Sequence, residues 1–245
     1  FGPRKNLPNT VKWFIEEFKD EEVGLVLKTN IAKNCHMDRV RIKEDLKAFV
    51  DQFPDRKCKV FLLHGDMTDQ ELHSLYKHPK VKALVSLSHG EGFGLPIFEA
   101  AYSGLPVLTS EWSGHVDFLF APKKDKKTGN EKMKPHFARI DYDVGPIPES
   151  AVWEGVLERG SMWCYPQQGP YKMRLREVYK EHGRFKKQAK DLQKWILKNF
   201  TDKQQYKKVH EVLFSTVHIS PEQHDGENWW EAKKQTPVNE IVTYE

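Results

Sequence analysis

The hydrophobic positions in the first half of the chain fall into two alternating patterns. Short apolar runs of strand length predict four buried strands, at about 23–28, 59–63, 81–87 and 105–109. Segments with apolar residues at helical spacing predict helices at about 11–18, 40–50, 66–78 and 96–103. Strands that alternate with helices are typical of a parallel sheet with crossover helices. The pattern therefore predicts a Rossmann-like, doubly wound α/β domain.

The segment Phe118–Tyr142 has a different pattern. Its two apolar ends flank a lysine-rich centre that contains Thr128, Gly129 and Asn130. Turn residues between two apolar runs are typical of a β-hairpin. We predict a hairpin insertion at about 118–143.

The remainder of the chain predicts helices. After a loop at Gly145–Pro148 we predict a short helix at about 151–157, one long helix from Leu175 to Ile196, and a final helix that Thr201 caps and that ends near Leu213. We assign residues 1–217 to one domain and residues 218–245 to a polar tail. The tail's large apolar pair, Trp229 and Trp230, is expected to anchor it.

The amino-acid composition limits the classes of protein to which this chain can belong. With 38% hydrophobic and 30% charged residues the chain can bury a core and stay in solution. No apolar run approaches the roughly 18 residues that span a bilayer, and no signal peptide is visible. Because the chain starts at Phe1, we expect it to be a fragment. The missing signal peptide predicts a cytoplasmic protein, either free or associated with a membrane surface. The three cysteines, Cys35, Cys58 and Cys164, are widely spaced and odd in number, so we expect reduced thiols.

The net charge of +4 is too small to argue for nucleic acid. The lysines are nevertheless clustered in the predicted hairpin, at positions 123, 124, 126, 127, 132 and 134. No aromatic residues alternate with them as in RNA-binding modules, so nucleic acid is not expected. The cluster is either a solvated hairpin tip or a surface that docks on an anionic membrane or an acidic acceptor.

A glycine-rich turn, Gly90–Gly94, follows the predicted strand that ends near Ser88 and precedes a helix that begins at Pro96. Ligands of parallel α/β sheets bind beyond the carboxyl ends of the strands. The unpaired N–H groups of a helix N-terminus favour a phosphate there. The G-x-G-x-G spacing differs from the G-x-G-x-x-G of dinucleotide-dependent oxidoreductases, and the P-loop's G-K-[ST] is missing. The turn thus predicts an anion site of another kind.

Two carboxylates, Glu91 and Glu99, flank this turn. Pointed at a phosphate they would repel it, but as acceptors they suit the hydroxyl groups on both sides of a nucleotide sugar's diphosphate. Glu99, placed in the first turn of the helix, would alternatively stabilise the helix dipole. Arg4 and Lys5, in a Gly-Pro loop before a helix, suit a diphosphate or form a solvated basic turn.

These residues carry a resemblance to a known family. The run EGFGLPIFE, from Glu91 to Glu99, resembles the E-x7-E motif of retaining glycosyltransferases of the group 1 type (family 4). The following AAYSGLPVLTSEWSG, the preceding GDMTDQELHSLYKHPKVKALVSLS and the early FGPRKNLP are also similar to that family. The resemblance covers about Phe1–Leu119 and continues weakly through Trp163 and Pro166. It implies the C-terminal half of a GT-B fold, although the hairpin is longer than usual.

The resemblance also implies roles at the matching positions. Lys5, with Arg4, would bind the donor diphosphate, Glu99 the ribose hydroxyls, and Glu91 the donor sugar. Backbone N–H groups would contact sugar and phosphate from Gly92, Phe93, Gly94 and Leu95. Met67, in the Gly65–Met67 turn, would lie near the base.

The implied reaction is a retaining, metal-independent glycosyl transfer from a UDP- or GDP-sugar, without a further cofactor. The acceptor is an unknown glycan, lipid-linked molecule or protein, and its N-terminal binding domain precedes this chain, which is expected to be inactive alone. His64, His89 and His115 are expected to pack or hydrogen-bond rather than to move protons. The alternative is a non-catalytic module that binds a nucleotide sugar or a partner.

Overall fold

The computed structural model describes residues 2–125 and 129–215. The chain divides into two compact units, Phe1–Lys198 and Asn199–Glu245. The predicted boundary between domain and tail, and the pair Trp229–Trp230, lie outside the described residues.

The described residues form eight α-helices and nine strands. The helices are α1 (Leu7–Phe18), α2 (His36–Val50), α3 (Asp69–Lys77), α4 (Leu95–Tyr102), α5 (Val116–Leu119), α6 (Gln168–Lys180), α7 (His182–Asn199) and α8 (Asp202–Ser215). The strands are β1 (Gly24–Lys28), β2 (Lys59–Leu63), β3 (Leu84–Val85), β4 (Val107–Ser110), β5 (Phe120–Lys124), β6 (Glu131–Pro135), β7 (Ala138–Ile140), β8 (Tyr142–Pro146) and β9 (Met162–Pro166). Short 3₁₀ turns occur at Pro3–Lys5 and Glu149–Ala151. Within this part of the chain, no helix has the length and apolar character needed to cross a membrane.

The core of the first unit is built on parallel strands. β1 pairs with β2, and β4 pairs with β3 on one side and β7 on the other, all in parallel. All four residues of β4 are buried, as expected of a central strand. Apolar side chains of α1 and α6, among them Ile15 and Tyr171, pack in one cluster with Leu108 and Ile140. The predicted mixed α/β, Rossmann-like class is confirmed.

The predicted hairpin exists but is shorter than expected. β5 and β6 pair antiparallel, from Phe120 opposite Pro135 to Lys124 opposite Glu131. The apolar residues that follow do not belong to the hairpin, because Ala138–Ile140 is β7 and pairs with β4. Ala138 and Ile140 are buried there. Burial in the central sheet outweighs pairing with the neighbouring segment.

A second antiparallel pair corrects the prediction for residues 145–157. β8 pairs with β9 where a loop at Gly145–Pro148 was expected. The predicted short helix at 151–157 is wrong, since the 3₁₀ turn ends at Ala151 and Trp153 forms an isolated β-bridge with Leu157. Gly155 has φ of 77° between these two residues, which suits a turn and not a helix.

The predicted long helix from Leu175 to Ile196 is two helices. α6 ends where Glu181 takes non-helical angles, φ −113° and ψ 34°, and α7 begins at His182. Gly183, near this junction, is a poor helix former. The break at Glu181 has no counterpart in the apolar spacing, which continues through both helices.

Helix α3 begins at Asp69 and not at Asp66, because Thr68 caps it. Thr68 Oγ1 accepts a hydrogen bond from the Glu71 backbone N–H (3.3 Å), and the Glu71 carboxylate accepts one from the Thr68 backbone N–H (2.8 Å). This reciprocal pair is a capping box. The capping box fixes the residue at which α3 begins, and α3 forms one side of the groove described below.

Replacing Thr68 with alanine is expected to lower the free energy of unfolding by about 1 kcal/mol, since one helix N–H loses its acceptor. Urea denaturation measures this loss. Ser74→Ala, in the same helix, is the control and should stay within about 0.5 kcal/mol of wild type because its exposed hydroxyl bonds only the Gln70 carbonyl. Equal losses in both variants would contradict a capping role.

Candidate functional site

Two segments more than eighty residues apart meet at the end of β3. The backbone carbonyl of Arg4 accepts hydrogen bonds from the His89 N–H (2.8 Å) and the Ser88 hydroxyl (3.3 Å). The 3₁₀ turn Pro3–Lys5 is thereby attached to the chain just before the glycine-rich turn. The structure thus brings the early basic loop beside the glycine-rich turn.

Glu91 holds both cations of the basic loop. Arg4 Nη1 lies 2.8 Å from Glu91 Oε2, and Lys5 Nζ lies 2.6 Å from Oε1. Arg4 also donates to the carbonyl of Gly90. The Glu91 side chain is 9% exposed, whereas those of Arg4 and Lys5 are 40% and 46% exposed. Two cations against one carboxylate leave a surplus positive charge at an accessible position.

The pKa of Glu91 reflects these contacts. Burial alone would raise it, but hydrogen bonds from Lys5, Arg4 and Ser88 outweigh burial and hold the pKa of Glu91 below its usual value. The carboxylate is therefore ionised at neutral pH and keeps both cations in place.

The glycine-rich turn is fixed by a close approach of two chain segments. Ser113 Oγ accepts from the Glu91 N–H (2.7 Å) and donates to the Glu91 carbonyl (2.8 Å), which also accepts from the Gly114 N–H (3.0 Å). A Cβ on Gly114 would lie 1.8 Å from the Gly92 carbonyl oxygen. Only glycine fits at position 114 while the turn keeps this shape.

The N-terminus of α4 opens directly from this turn. Gly94, with φ of 84°, is its N-cap, and the Phe93 ring packs on Phe98 and Phe118 at 5.2 and 5.0 Å. Among the described residues no acceptor bonds the backbone N–H groups of Gly92, Phe93, Gly94 or Leu95. These four donors therefore lie unpaired in the segment that directly follows Glu91, and those of Gly92, Phe93 and Leu95 belong to exposed residues, as an anion site requires.

Glu99 lies further along α4 than predicted. It is the fifth residue of the helix, so it belongs to the second turn, and the first turn holds no acidic residue. The interpretation of Glu99 as a first-turn dipole charge is wrong. Instead, Glu99 Oε2 accepts a hydrogen bond from the Tyr76 hydroxyl of α3 at 3.1 Å.

The Glu99–Tyr76 pair faces a groove of about 570 Å³ between α3 and α4. Burial and the charge of Glu99 raise the pKa of Tyr76, so its hydroxyl remains a donor. The groove is lined by Asp69, Gln70, Leu72, His73, Tyr76, Phe98, Glu99, Tyr102 and Ser103. Aromatic walls with a fixed carboxylate suit a ligand with a flat face and hydroxyl groups.

Met67 lies in the turn between β2 and α3, at the carboxyl edge of the parallel strands. Lys28 Nζ donates to the Gly65 carbonyl (2.5 Å), and Asn34 contacts Asp66. Gly65 has φ of 112°, which favours glycine. This turn leads through Thr68 into α3, so Met67 is on the approach to the groove, although no contact joins it to Glu99.

The buried pair His64–Asp38 holds this edge together. His64 Nε2 lies 3.1 Å from Asp38 Oδ1, and the same carboxylate accepts from the backbone N–H groups of residues 31, 32 and 33. Hydrogen bonds from Ala32 and its neighbours hold the pKa of Asp38 well below its usual range, against the effect of burial. His64 hydrogen-bonds within the fold, as expected.

His89 and His115 also serve structure. His89 stacks on Trp163 with ring centroids 5.0 Å apart and shares a 2.6 Å hydrogen bond with the Cys164 carbonyl. His115 is 1% exposed and its Nε2 lies 2.7 Å from the Ser110 carbonyl. Burial lowers the pKa of both rings. Sequence reasoning missed Tyr76, Ser113 and Gly114, since Tyr76 has the helical spacing of an inward-facing residue and nothing in that spacing indicates a polar contact.

Comparison with known proteins finds a family model that matches part of the chain. Residues 54–130 match the family model of the glycosyl transferases group 1, so the resemblance to that family is confirmed over the segment that contains Glu91 and Glu99. Arg4 and Lys5 lie outside the matched residues. No curated protein matches the chain.

Two solved structures are similar to the chain. The pneumococcal O-GlcNAc transferase GtfA, in complex with UDP and GlcNAc, is 16% identical, with 87% of this chain and 34% of that one covered and a TM-score of 0.39. The catalytic domain of starch synthase IV from Arabidopsis thaliana, bound to ADP and acarbose, is 13% identical, with 77% and 38% covered and a TM-score of 0.37. The chain spans little more than a third of either.

Gly114→Ala is expected to lower the free energy of unfolding by about 1–3 kcal/mol, because the added methyl group meets backbone and not a movable side chain. Gly90→Ala is the matched control, since its Cβ would lie 3.7 Å from Ser113 and Trp112, an ordinary contact. Urea unfolding of both variants measures the difference. If Gly114→Ala were as stable as Gly90→Ala, the close approach to Gly92 would not exist.

Glu91 should make stability depend on pH. Its pKa is lower in the folded than in the unfolded chain, so its contribution is present above the unfolded pKa and is lost as pH falls through the folded pKa. Wild type should therefore lose more free energy of unfolding than Glu91→Gln between about pH 6 and pH 3. Parallel losses, followed by chemical denaturation across that range, would show that Glu91 is not held by the two cations.

Proposed function

We propose that this chain is the donor-binding part of a glycosyltransferase and that the site beside α4 binds a nucleoside diphosphate sugar. The observation that carries the proposal is the pairing of Arg4 and Lys5 on Glu91 next to four unpaired backbone N–H groups. The family match over residues 54–130 supports the same class of reaction.

The diphosphate fits the exposed side of the Arg4–Lys5 pair. Glu91 neutralises one of the two charges and leaves Arg4 and Lys5 about half exposed, so a diphosphate can approach without displacing the carboxylate. The N–H groups of residues 92–95 supply further donors. Because an ionised carboxylate can accept about four hydrogen bonds, Glu91 retains capacity for a hydroxyl group of the donor sugar.

The nucleoside fits the groove between α3 and α4. Tyr76 occupies one oxygen of Glu99 and fixes its orientation, which leaves the other oxygen for the ribose hydroxyls. Tyr102 and Phe98 supply apolar surface for the base. The turn at Met67 directly precedes α3, which forms one side of the groove. The base would contact backbone atoms of this turn.

In the proposed reaction the protein stabilises the leaving diphosphate and positions the donor. Arg4, Lys5 and the start of α4 supply positive charge, so we propose a transfer that needs no metal. The resemblance of Glu91–Glu99 to the E-x7-E motif supports a transfer that retains the configuration of the sugar. The acceptor, a glycan, lipid-linked molecule or protein, would bind on a preceding domain, and transfer would require both parts. A cytoplasmic location remains part of this proposal.

Isothermal titration of the chain with UDP, GDP, ADP and their sugars tests donor binding. We expect one nucleotide to bind, Glu99→Ala to weaken it about tenfold to a hundredfold because a charge-assisted hydrogen bond is lost, and Tyr76→Phe to weaken it less. EDTA should change nothing.

The 2′-deoxynucleotide separates ribose recognition from a general defect. Wild type should prefer the ribonucleotide, and Glu99→Ala should bind both forms equally. Glu44→Ala, an exposed carboxylate on α2, is the control that keeps wild-type affinity. If neither this chain nor a form extended by the proposed acceptor-binding domain binds any nucleotide, the proposal is wrong. If the extended form binds but transfers no sugar, the non-catalytic alternative holds.

A further inference from the structure

The β5–β6 hairpin separates its side chains into two different faces. Residues directly opposite in an antiparallel pair point to the same side. The pairs Lys123–Lys132 and Ala121–Lys134 therefore share one face, called the lysine face below. The other face carries Pro122 opposite Met133 and Lys124 opposite Glu131.

Within the described residues the lysine face has no acidic partner. Lys123, Lys132 and Lys134 are all exposed, and Glu131 lies 3.9 Å from Lys124 on the other face. Like charges directly opposite each other destabilise a strand pair. The Lys123–Lys132 pair therefore works against the hairpin's own stability, and folding does not account for it.

The hairpin segment is strongly basic. Residues 120–135 contain six lysines and two acidic residues, a surplus of four. The whole chain has 39 lysines and arginines against 35 acidic residues, also a surplus of four. The remaining residues sum to zero because the acidic segment 216–245, together with residues 1–119, offsets a surplus of five positive charges in residues 136–215, so the hairpin is one of two basic segments.

The base of the hairpin is fixed to the body of the first unit. Ala121 is buried, Gln188 of α7 donates to the Pro135 carbonyl (2.7 Å), and the His136 N–H donates to the Leu119 carbonyl (2.9 Å). The Phe120 and Phe137 rings pack edge to face, 5.9 Å apart. A rigid base orients the lysine face relative to the rest of the unit.

We propose that the lysine face docks the protein on a bilayer surface that contains acidic phospholipids. Three ammonium groups on one side of a two-stranded ribbon can contact several headgroups of a flat anionic surface at once. Each lysine near such a surface strengthens binding roughly fivefold. The proposal does not depend on donor binding at α4, and a fixed hairpin would hold that site at a constant distance from the membrane.

A bilayer fits this face better than a nucleic acid does. The described residues of the lysine face contain no aromatic side chain on which a base could stack and no arginine for paired contacts with phosphate. The lysine face also cannot insert apolar side chains into the bilayer, since its only apolar residue, Ala121, is buried at the base of the hairpin. The recognition is one of charge.

Vesicle co-sedimentation tests the proposal with the intact chain. Wild type should bind vesicles of phosphatidylcholine mixed with phosphatidylserine, should not bind phosphatidylcholine alone, and should be released at about 1 M salt, where the Debye length falls to about 3 Å. The triple variant Lys123→Gln, Lys132→Gln, Lys134→Gln should partition about a hundredfold less, by the fivefold factor for each lysine. Its melting temperature should not fall, because a like-charge pair is removed.

A matched variant controls for net charge. Arg39→Gln, Lys43→Gln, Lys47→Gln removes the same charge from a row of exposed residues on α2 that lie among acidic neighbours, and it should bind as wild type does. Failure of wild type to bind acidic vesicles would overturn the proposal, as would equal losses in the two triple variants. Tighter binding to single-stranded RNA than to the vesicles, abolished by the hairpin triple, would assign the face to nucleic acid instead.

Discussion

The site depends on one ion-pair cluster, in which the carboxylate of Glu91 holds two cations from the start of the first unit's sequence. Glu91 pairs with Arg4 and Lys5 across 87 and 86 positions of sequence, and the Arg4 carbonyl bonds the same segment through the His89 N–H. A buried carboxylate left without partners would be costly. The two cations remove that cost, and Glu91 in return prevents their mutual repulsion from separating them.

This contact constrains the backbone around it. The glycine-rich turn must pass within contact distance of Ser113 and Gly114, which is possible because position 114 has no side chain. The same turn ends in Gly94 and starts α4, whose fifth residue is Glu99. The cation cluster and the α3–α4 groove are therefore joined by one continuous segment, the glycine-rich turn and α4. A displacement of the turn would move both, whereas a change in the groove at Tyr76 would leave the cations in place.

Much of the fold and the position of the glycine-rich turn were predictable from the sequence. Local signals decided β1, β2, the glycine-rich turn and α4, because apolar period, turn residues and a proline at the second helical position agree there. The predictions that were wrong concern segments whose structure depends on tertiary packing and not on local sequence. Ala138–Ile140 alternates like a hairpin strand but gains more by burial beside β4, and Glu181 breaks a helix whose apolar spacing continues. Tyr76 has the spacing of a core residue, and nothing in that spacing indicates that its hydroxyl meets Glu99.

Glu91 and Glu99 have the same chemistry, and their surroundings give them opposite properties. Glu91 contacts two cations, so the cluster as a whole is positive and a diphosphate beside it is attracted and not repelled. Glu99 contacts a neutral phenol whose raised pKa keeps it protonated, so its negative charge is not neutralised there. An uncompensated carboxylate would repel a phosphate at short range, but it suits hydroxyl groups. The electrostatics along α4 thus favour an anion at the helix N-terminus and hydroxyl groups one turn further on, which is the order that the proposed nucleotide-sugar ligand would require.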